Sequence, residues 1–498
     1  MKLIYGRSGT GKSEYVYKDI KKKLEENCGK IYIITPEQFS FTAEKRLLET
    51  IDDGATLQVE VLSFARMAHR VINETMALDK DTIDNAGKAM IIYETIEKNK
   101  KKLRFLGNSL DNVDTIITQI TEFKKHNISV EMLEEQVEKT QDQYLKAKLN
   151  DMLIMYKALD DKIAENFIDS NDLLNYLCVN IEKSHLFDNA IFYIDEFAGF
   201  TKQEYSVIEK LEQIGKELYI TICTDELSVK ASPDSDIFYD NKQTVQTLCD
   251  IAEKLGNPID KDNQIRLENN YRFKNEELAH LEKNIYSFPS RAYDKDRKLE
   301  NVRLYLADNQ YAEVEHVATE IFKLVRDEGY KYSDISVICN NIATYSSLCK
   351  AIFAEYEIPV FIDEEADINH NIIIKFVLGL IDVLAKNFTY ESVFNYLKTG
   401  VVKVDDIFEF ENYCLKWGIN RNTFYKEPWN FEKEENYTEI QNSIIKPLVE
   451  LKDKIKENKS ATQMSEDFYN FIVSILSKEE NSYLFNISDE EKNTLNSE

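Results

Sequence analysis

Gly6-Arg7-Ser8-Gly9-Thr10-Gly11-Lys12-Ser13 fills every fixed position of the pattern Gly-x4-Gly-Lys-[Ser/Thr]. The apolar run Leu3-Ile4-Tyr5 precedes it and a helix-like segment from Glu14 to about Glu26 follows, giving the strand, loop and helix that the pattern requires. Gly6, Gly9 and Gly11 allow the backbone to fold into a nest whose N–H groups point at phosphate oxygens, at the positive end of the next helix. Lys12 then lies against the β and γ phosphates, and the Ser13 hydroxyl completes a magnesium shell. The whole stretch, with Arg7, Ser8 and Thr10 included, reads as a nucleoside triphosphate site. A similar Gly, Lys and Ser composition also occurs at ordinary helix N-termini, but the strand and helix on either side favour phosphate binding.

The rest of the chain sets that loop in an α/β fold of several domains, since 498 residues exceed what one core usually holds. Short, nearly continuous apolar runs recur at Leu3–Tyr5, Ile31–Thr35, Val59–Leu62, Ala190–Ile194 and Leu218–Cys223. Such runs suit a parallel sheet covered on both faces. Between the third and fourth, about Thr75 to Ser184, Lys, Glu, Leu and Ile recur at helical spacing with almost no Gly or Pro, which predicts a helical insertion. After Pro289 a second series begins, with strands expected at Val302–Ala307, Ile335–Cys339 and Pro359–Ile362 and a helix over Glu313–Asp327. From Asn387 the pattern is helical and aromatic, and Ser488–Glu498 is polar and closes no domain. The expected division is therefore 1–74 with 185–288 as the first α/β domain, 75–184 as its helical insertion, 289–386 as a second α/β domain, and 387–498 as a further, incomplete helical insertion.

Composition narrows the class. The chain is 43% hydrophobic and 30% charged, and no apolar run nears the ~18 residues of a membrane span, so a cytoplasmic protein without a membrane partner is expected. Its net charge of -27 excludes a chain that is basic all over and confines any nucleic-acid contact to a local surface. Cys28, Cys178, Cys223, Cys249, Cys339, Cys349 and Cys414 show no metal-ligand spacing and read as reduced thiols, most of them in the core.

A phosphate loop needs an acidic partner, and Ala190-Ile191-Phe192-Tyr193-Ile194-Asp195-Glu196 places two carboxylates at a strand's C-terminal end. Asp195 there holds magnesium through water, and Glu196 orients or deprotonates the attacking water. Any buried strand also ends in turn residues, which are often acidic. For DNA, Ser63, Phe64 and Arg66 follow the third strand, where Phe64 either stacks on a base or packs in the core. Lys98, Lys100–Lys102 with Arg104, and Lys124-Lys125-His126 are basic patches that either meet phosphates or form solvated helix faces.

Phrases spread over nearly the whole chain carry a resemblance. They include Thr35-Pro36-Glu37-Gln38-Phe39, Val61-Leu62-Ser63-Phe64-Ala65-Arg66, Glu122-Phe123-Lys124, Ile194-Asp195-Glu196-Phe197, Asn270-Tyr271-Arg272-Phe273, Leu397-Lys398-Thr399-Gly400 and Glu411-Asn412-Tyr413. With the order of phosphate loop, helical insertion and Asp-Glu strand, the chain resembles the AddB-type subunits of bacterial AddAB helicase-nucleases. The resemblance implies a RecA-like, superfamily-one helicase-type core of two α/β domains, each with a helical insertion. It also implies ATP and magnesium as ligands, an AddA-type helicase-nuclease as heterodimer partner, and double- and single-stranded DNA as substrates. The implied role is Chi-regulated resection of double-strand breaks for recombination. By the same resemblance Arg272 reaches the γ phosphate, or else is a surface loop arginine. The family's nuclease domain, with an iron-sulfur cluster held by four cysteines, is expected at the far C-terminus of a much longer chain.

Three differences from a motor's pattern shape the expected activity. No glutamine segment for adenine precedes Gly6, Thr224-Asp225-Glu226-Leu227 replaces the Gly-Asp-x-x-Gln coupling segment, and Glu196 stands where the family often has glycine. Slow ATP hydrolysis that serves as a signal rather than as fuel is the reading that fits all three. A stand-alone P-loop NTPase or small-molecule kinase, and a silent scaffold that docks a helicase motor, are the alternatives.

Overall fold

The computed structural model describes residues 1–51, 58–75, 81–105, 112–229, 236–293, 299–364, 368–426, 429, 437–457 and 460–478. The polar end Ser488–Glu498 lies outside them. The chain divides into two units, Met1–Tyr305 and Leu306–Glu498.

The first unit is built on a parallel six-stranded sheet: β1 (Lys2–Gly6), β2 (Ile31–Ile34), β3 (Val59–Leu62), β4 (Ile191–Ile194), β5 (Glu217–Cys223) and β6 (Ile265–Arg266), in the spatial order β3-β2-β4-β5-β1-β6. Five of these are the expected strands. The sixth pairs only two residues with β1, too short a run for periodicity to mark. β2 and β4 are buried along their whole length, as strands covered on both faces must be. One cover is α1 (Lys12–Glu25) with α2 (Ser40–Thr50), which bury Val16, Ile20, Ala43 and Leu47 against Ile4, Ile31 and Ile191. The other cover includes α3 (Phe64–Thr75) and α4 (Lys202–Ile214), placing Met67, Val71, Val207 and Leu211 against Ile34, Phe192 and Ile220. Each buried Leu or Ile contributes about 1.5–3 kcal/mol, so this sheet is a stiff platform for the loops at its C-terminal edge.

The insertion has its own core. Helices α5 (Asn85–Asn99), α6 (Val113–Lys125), α7 (Val130–Lys139) and α8 (Gln143–Asn166) gather Ile92, Ile96, Ile116, Ile120, Met155 and Leu159. Its entry and exit are tied by a short parallel ladder, Asp81–Ile83 with Phe167–Asp169, which the helical reading of the sequence missed. Beside that ladder lies a buried ion cluster. Lys124 Nζ contacts Asp172 Oδ2 at 2.5 Å, Asp169 Oδ2 at 2.9 Å and Asp160 Oδ1 at 3.6 Å, while Lys88 Nζ contacts Asp169 Oδ1 at 2.6 Å. Lys124 is thus a buried structural cation, and the reading of Lys124 as a phosphate contact is corrected. Burial costs a lone ammonium so much that it is kept only where carboxylates surround it. Lys98 and Lys100 are exposed but paired with Glu94 and Glu97 on their own helix.

In the second unit α9 (Gln310–Glu328) and α10 (Ile342–Glu355) pack through Val314, Ala318, Ile321, Ile352 and Phe353. The helix expected over Glu313–Asp327 is therefore present. The expected strands Val302–Ala307, Ile335–Cys339 and Pro359–Ile362 are not, for these segments carry no ladder among the described residues. Leu304, Ile338 and Phe361 are 100%, 92% and 89% exposed. Apolar, β-prone runs were legible, but a strand exists only when a neighbour takes up its N–H and C=O groups, and pairing is not a local property. Further on, α11 (Ile372–Ala385), α12 (Tyr390–Leu397) and α13 (Ile407–Trp417) enclose a second helical core around Phe376, Tyr396, Phe410 and Trp429. Cys414 is the buried cysteine, five others are half-buried and Cys339 is exposed, so the expectation that most lie in the core is not met.

Candidate nucleotide site

β1 ends at Gly6, and Gly11 caps α1 in the left-handed region at φ +80°. Gly9 shares that φ, which residues with a Cβ adopt at a cost of about 1–2 kcal/mol. A Cβ on Gly9 would also stand 2.6 Å from Arg272 Cβ, so the conformation and the close approach both demand glycine. Lys12 Nζ lies over the loop and donates to the Gly6 and Arg7 carbonyls at 3.0 Å each. Burial, helped by the Arg272 charge, lowers the Lys12 pKa against the opposing pull of Cys223 and Asp195. Thr10 Oγ1 donates to Arg7 O at 2.9 Å and tightens the turn.

The Arg7 guanidinium turns to other partners. Nε donates to Glu282 Oε1 at 2.9 Å, Nη2 to Glu282 O at 2.8 Å, Nη1 stands 3.9 Å from Asp225 Oδ2, and the group lies over the Phe238 ring. Its side chain anchors the loop rather than facing the nest. Asp225, in the segment that replaces the coupling motif, also pairs with Lys242 at 2.8 Å.

β4 brings the carboxylates to the loop. Asp195 is buried and its Oδ1 accepts from Thr221 Oγ1, on the adjacent β5, at 2.5 Å. Glu196 has φ +67°, an outlier for a residue with a side chain. Its Oε1 accepts from Ser13 Oγ at 3.5 Å and from Arg46 Nη1 at 3.1 Å. Burial and then the Asp195 charge raise the Glu196 pKa, with Arg46 and Ser13 opposing. Ser13 and Asp195 together offer the hard oxygen donors that magnesium takes.

A strap crosses the loop from the other side. Asn270 Nδ2 donates to Ser8 O at 3.2 Å, Tyr271 N to Gly9 O at 2.8 Å, and Arg272 Nη1 to Ser8 Oγ at 3.1 Å. Arg272 therefore sits at the loop, and the exposed Tyr271 ring lies 3.5 Å from where a Gly11 Cβ would be. Asn270 and Tyr271 carried no role in the sequence reading, although their phrase was noted. Arg46 gave no signal at all, because a contact across 150 residues leaves no periodicity.

Of the candidate DNA residues, Ser63 and Phe64 line a 290 Å³ groove at the same sheet edge with Thr35, Glu37 and Phe197, whereas Arg66 lines a separate pocket with Glu44 and Arg70. Phe64 is 5% exposed and packs on Phe197 with centroids 5.4 Å apart, so core packing describes it. Ser63 Oγ accepts from Arg66 N at 3.2 Å, and the half-exposed Arg66 side chain pairs with Glu44 at 3.6 Å. Among the buried, described side chains, Thr35 Oγ1 has no hydrogen-bond partner.

Comparison with known proteins then fixes the family, because the family described as "ADDB, N-terminal" matches residues 3–282, more than half of the chain. The chain belongs to the AddB family. It is 37% identical over 497 residues to a protein of Clostridium kluyveri (strain NBRC 12016) that is named as the B-type subunit of an ATP-dependent helicase/deoxyribonuclease. It is 38% identical over 501 residues to the protein of that name from Clostridium tetani (strain Massachusetts / E88). In both cases 95% of this chain and 43% of the relative are covered. The chain thus spans less than half the length of these AddB relatives. Their match runs through both units, beyond the region of the family profile. Among the described residues no group of three or more His, Cys, Asp or Glu side chains forms a metal cage, and no helix is long and apolar enough to cross a membrane.

Proposed function

We propose that this chain binds ATP with magnesium at Gly6–Ser13 as part of the AddB-type subunit of an ATP-dependent helicase/deoxyribonuclease. In this reading the protein is cytoplasmic, pairs with an AddA-type helicase-nuclease and processes double-strand DNA breaks for recombinational repair under Chi control. It engages double- and single-stranded DNA, and its first unit acts as a RecA-like core. The observation that carries the proposal is the meeting of Lys12, Ser13, Asp195, Glu196 and Arg272 at one end of a parallel sheet, in a chain of this family.

The residues divide the work. Backbone amides of the glycine nest and Lys12 hold the phosphates, Ser13 and Asp195 would hold the magnesium, and Arg272 approaches across the strap. Magnesium, when bound, neutralises charge on the β and γ oxygens. Glu196 receives the proton of the attacking water. With Arg7 and Asp225 locking the loop where motors place a coupling segment, ATP serves as a slow signal and not as fuel. The scaffold and kinase readings lose ground to the five converging groups and to the family. The test is Lys12→Ala in the full-length protein, with binding of a fluorescent non-hydrolysable ATP analogue and end resection by the assembled complex as readouts. Binding should fall at least about 100-fold, the loss of about two charge-assisted hydrogen bonds, and resection or the Chi response should change. Unchanged binding and unchanged resection would refute the proposal, and rapid ATP turnover strongly stimulated by single strands would refute the slow-signal part.

A further inference from the structure

The helix Glu276–Asn284 touches the phosphate loop, yet none of its residues is fully buried. α1, by contrast, sinks Val16, Tyr17 and Ile20 into the core. A helix without a buried apolar stripe takes its position from its polar contacts. Here those contacts lead to the loop. Glu282 Oε1 accepts from Arg7 Nε at 2.9 Å, and the Glu282 carbonyl accepts from Arg7 Nη2 at 2.8 Å. The strap just before the helix is bonded to the next two loop residues, through Asn270 and Arg272 on Ser8 and the Tyr271 amide on Gly9. Three consecutive loop residues thus hold one segment of distant chain. The helix in turn holds the backbone that follows it, for His280 Nε2 lies 2.9 Å from the Arg291 carbonyl and Glu277 accepts from the amides of Glu300 and Asn301 at 3.0 and 2.7 Å.

Phosphate changes what Arg7 depends on. Its carbonyl accepts from Lys12 Nζ at 3.0 Å and from Thr10 Oγ1 at 2.9 Å. An ammonium that turns to the β and γ phosphates gives up that carbonyl. Arg7 is then kept in place by Thr10 and by its own side chain, whose nearest partner is Glu282, since Asp225 stands 3.9 Å from Nη1. The Arg7–Glu282 contact therefore matters more when phosphate fills the nest. By linkage, a contact that favours the bound loop is favoured by the ligand to the same degree.

We propose that Glu282 is a positioning residue for the nucleotide: it fixes Arg7, and through Arg7 the phosphate-binding form of the loop, and in return nucleotide occupancy tightens the helix Glu276–Asn284. The inference rests on the ATP-binding reading above and supplies a route by which a signal leaves that site. The segment that tightens is the one that continues past Asn301 to Leu306, where the second unit begins.

The test uses the full-length protein with Glu282→Gln, Arg7→Gln or both, a fluorescent non-hydrolysable ATP analogue with magnesium, and amide hydrogen exchange. Glu282→Gln keeps the shape of the side chain and the main-chain carbonyl and removes the charge. It should weaken analogue binding about fivefold, the upper size of a partly exposed ion pair. Arg7→Gln should do at least as much, and the double variant should bind no more weakly than Arg7→Gln alone, because both changes remove one interaction. In wild type the analogue should slow exchange over 276–284 by a similar factor, and in Glu282→Gln that slowing should be largely lost. A merely structural role would speed exchange in the variant with and without analogue alike and leave affinity unchanged. Unchanged affinity in Glu282→Gln, additive losses in the double variant, or exchange over 276–284 that ignores the analogue in wild type would overturn the inference. Glu282→Gln against wild type decides the matter if Arg7→Gln does not fold. Failure of these effects with analogue binding intact and still dependent on Lys12 refutes Glu282 alone, whereas absence of analogue binding refutes the nucleotide site itself.

Discussion

Replacing Lys124 by Met separates a structural cation from a DNA contact. The side chain is buried and holds Asp169, Asp172 and Asp160, of which Asp169 is itself buried and retains Lys88 at 2.6 Å. Removing one partner of a buried ionic group costs about 3–5 kcal/mol, because the remaining charge is stranded. Lys88 still neutralises Asp169, and Asp172 and Asp160 reach some solvent, which places the cost near the lower end, about 3 kcal/mol. In a unit the size of Met1–Tyr305 that corresponds to a fall of roughly 5 °C in melting temperature. Thermal unfolding of the full-length protein checks it, with single-strand affinity measured well below the transition as the control. Asp172→Leu in the same background should recover at least about 1 kcal/mol, since it removes the stranded carboxylate. A melting temperature within about 2 °C of wild type, together with a clear loss of DNA affinity, would refute the argument and return Lys124 to the phosphate-contact reading.

Gly9→Ala should weaken ATP-analogue binding about tenfold or more, because left-handed strain of about 1–2 kcal/mol adds to the overlap with Arg272 and Asn270. Gly29→Ala, at φ +102° but with open space around it, should cost stability alone and leave binding unchanged in the same titration. Asp195→Asn should abolish the magnesium-dependent part of the thermal stabilisation by ATP and spare the part that survives in EDTA, both read by melting curves. Arg66→Ala should lower single-strand affinity only a few-fold and reduce its salt slope by about 1, checked by titration at several salt concentrations.

The loop Gly6–Ser13, the five long strands and the acidic pair at the end of β4 were legible in the residues alone, because each depends on neighbours in the chain. A glycine's φ, a buried strand's continuous apolarity and a helix's period are local quantities, and local quantities can be read in order. The aromatic at Phe64 and the cation at Lys124 were legible as residue types, but only packing decided that one lies against Phe197 and the other among three aspartates. The strap over Gly9, the turning away of Arg7 toward Glu282 and the hold of Arg46 on Glu196 belong to the same class. Each joins residues from 150 to 275 positions apart, and their energies come from desolvation and charge at contacts that exist only once the sheet has formed. Likewise Leu304, Ile338 and Phe361 have the composition of strands, yet a ladder needs a paired neighbour and composition cannot supply one. What the residues spelled out in order along the chain was the expectation of a phosphate site; the contact of Arg46 with Glu196 and the strap over the loop were settled by the tertiary structure, through contacts between segments distant in sequence.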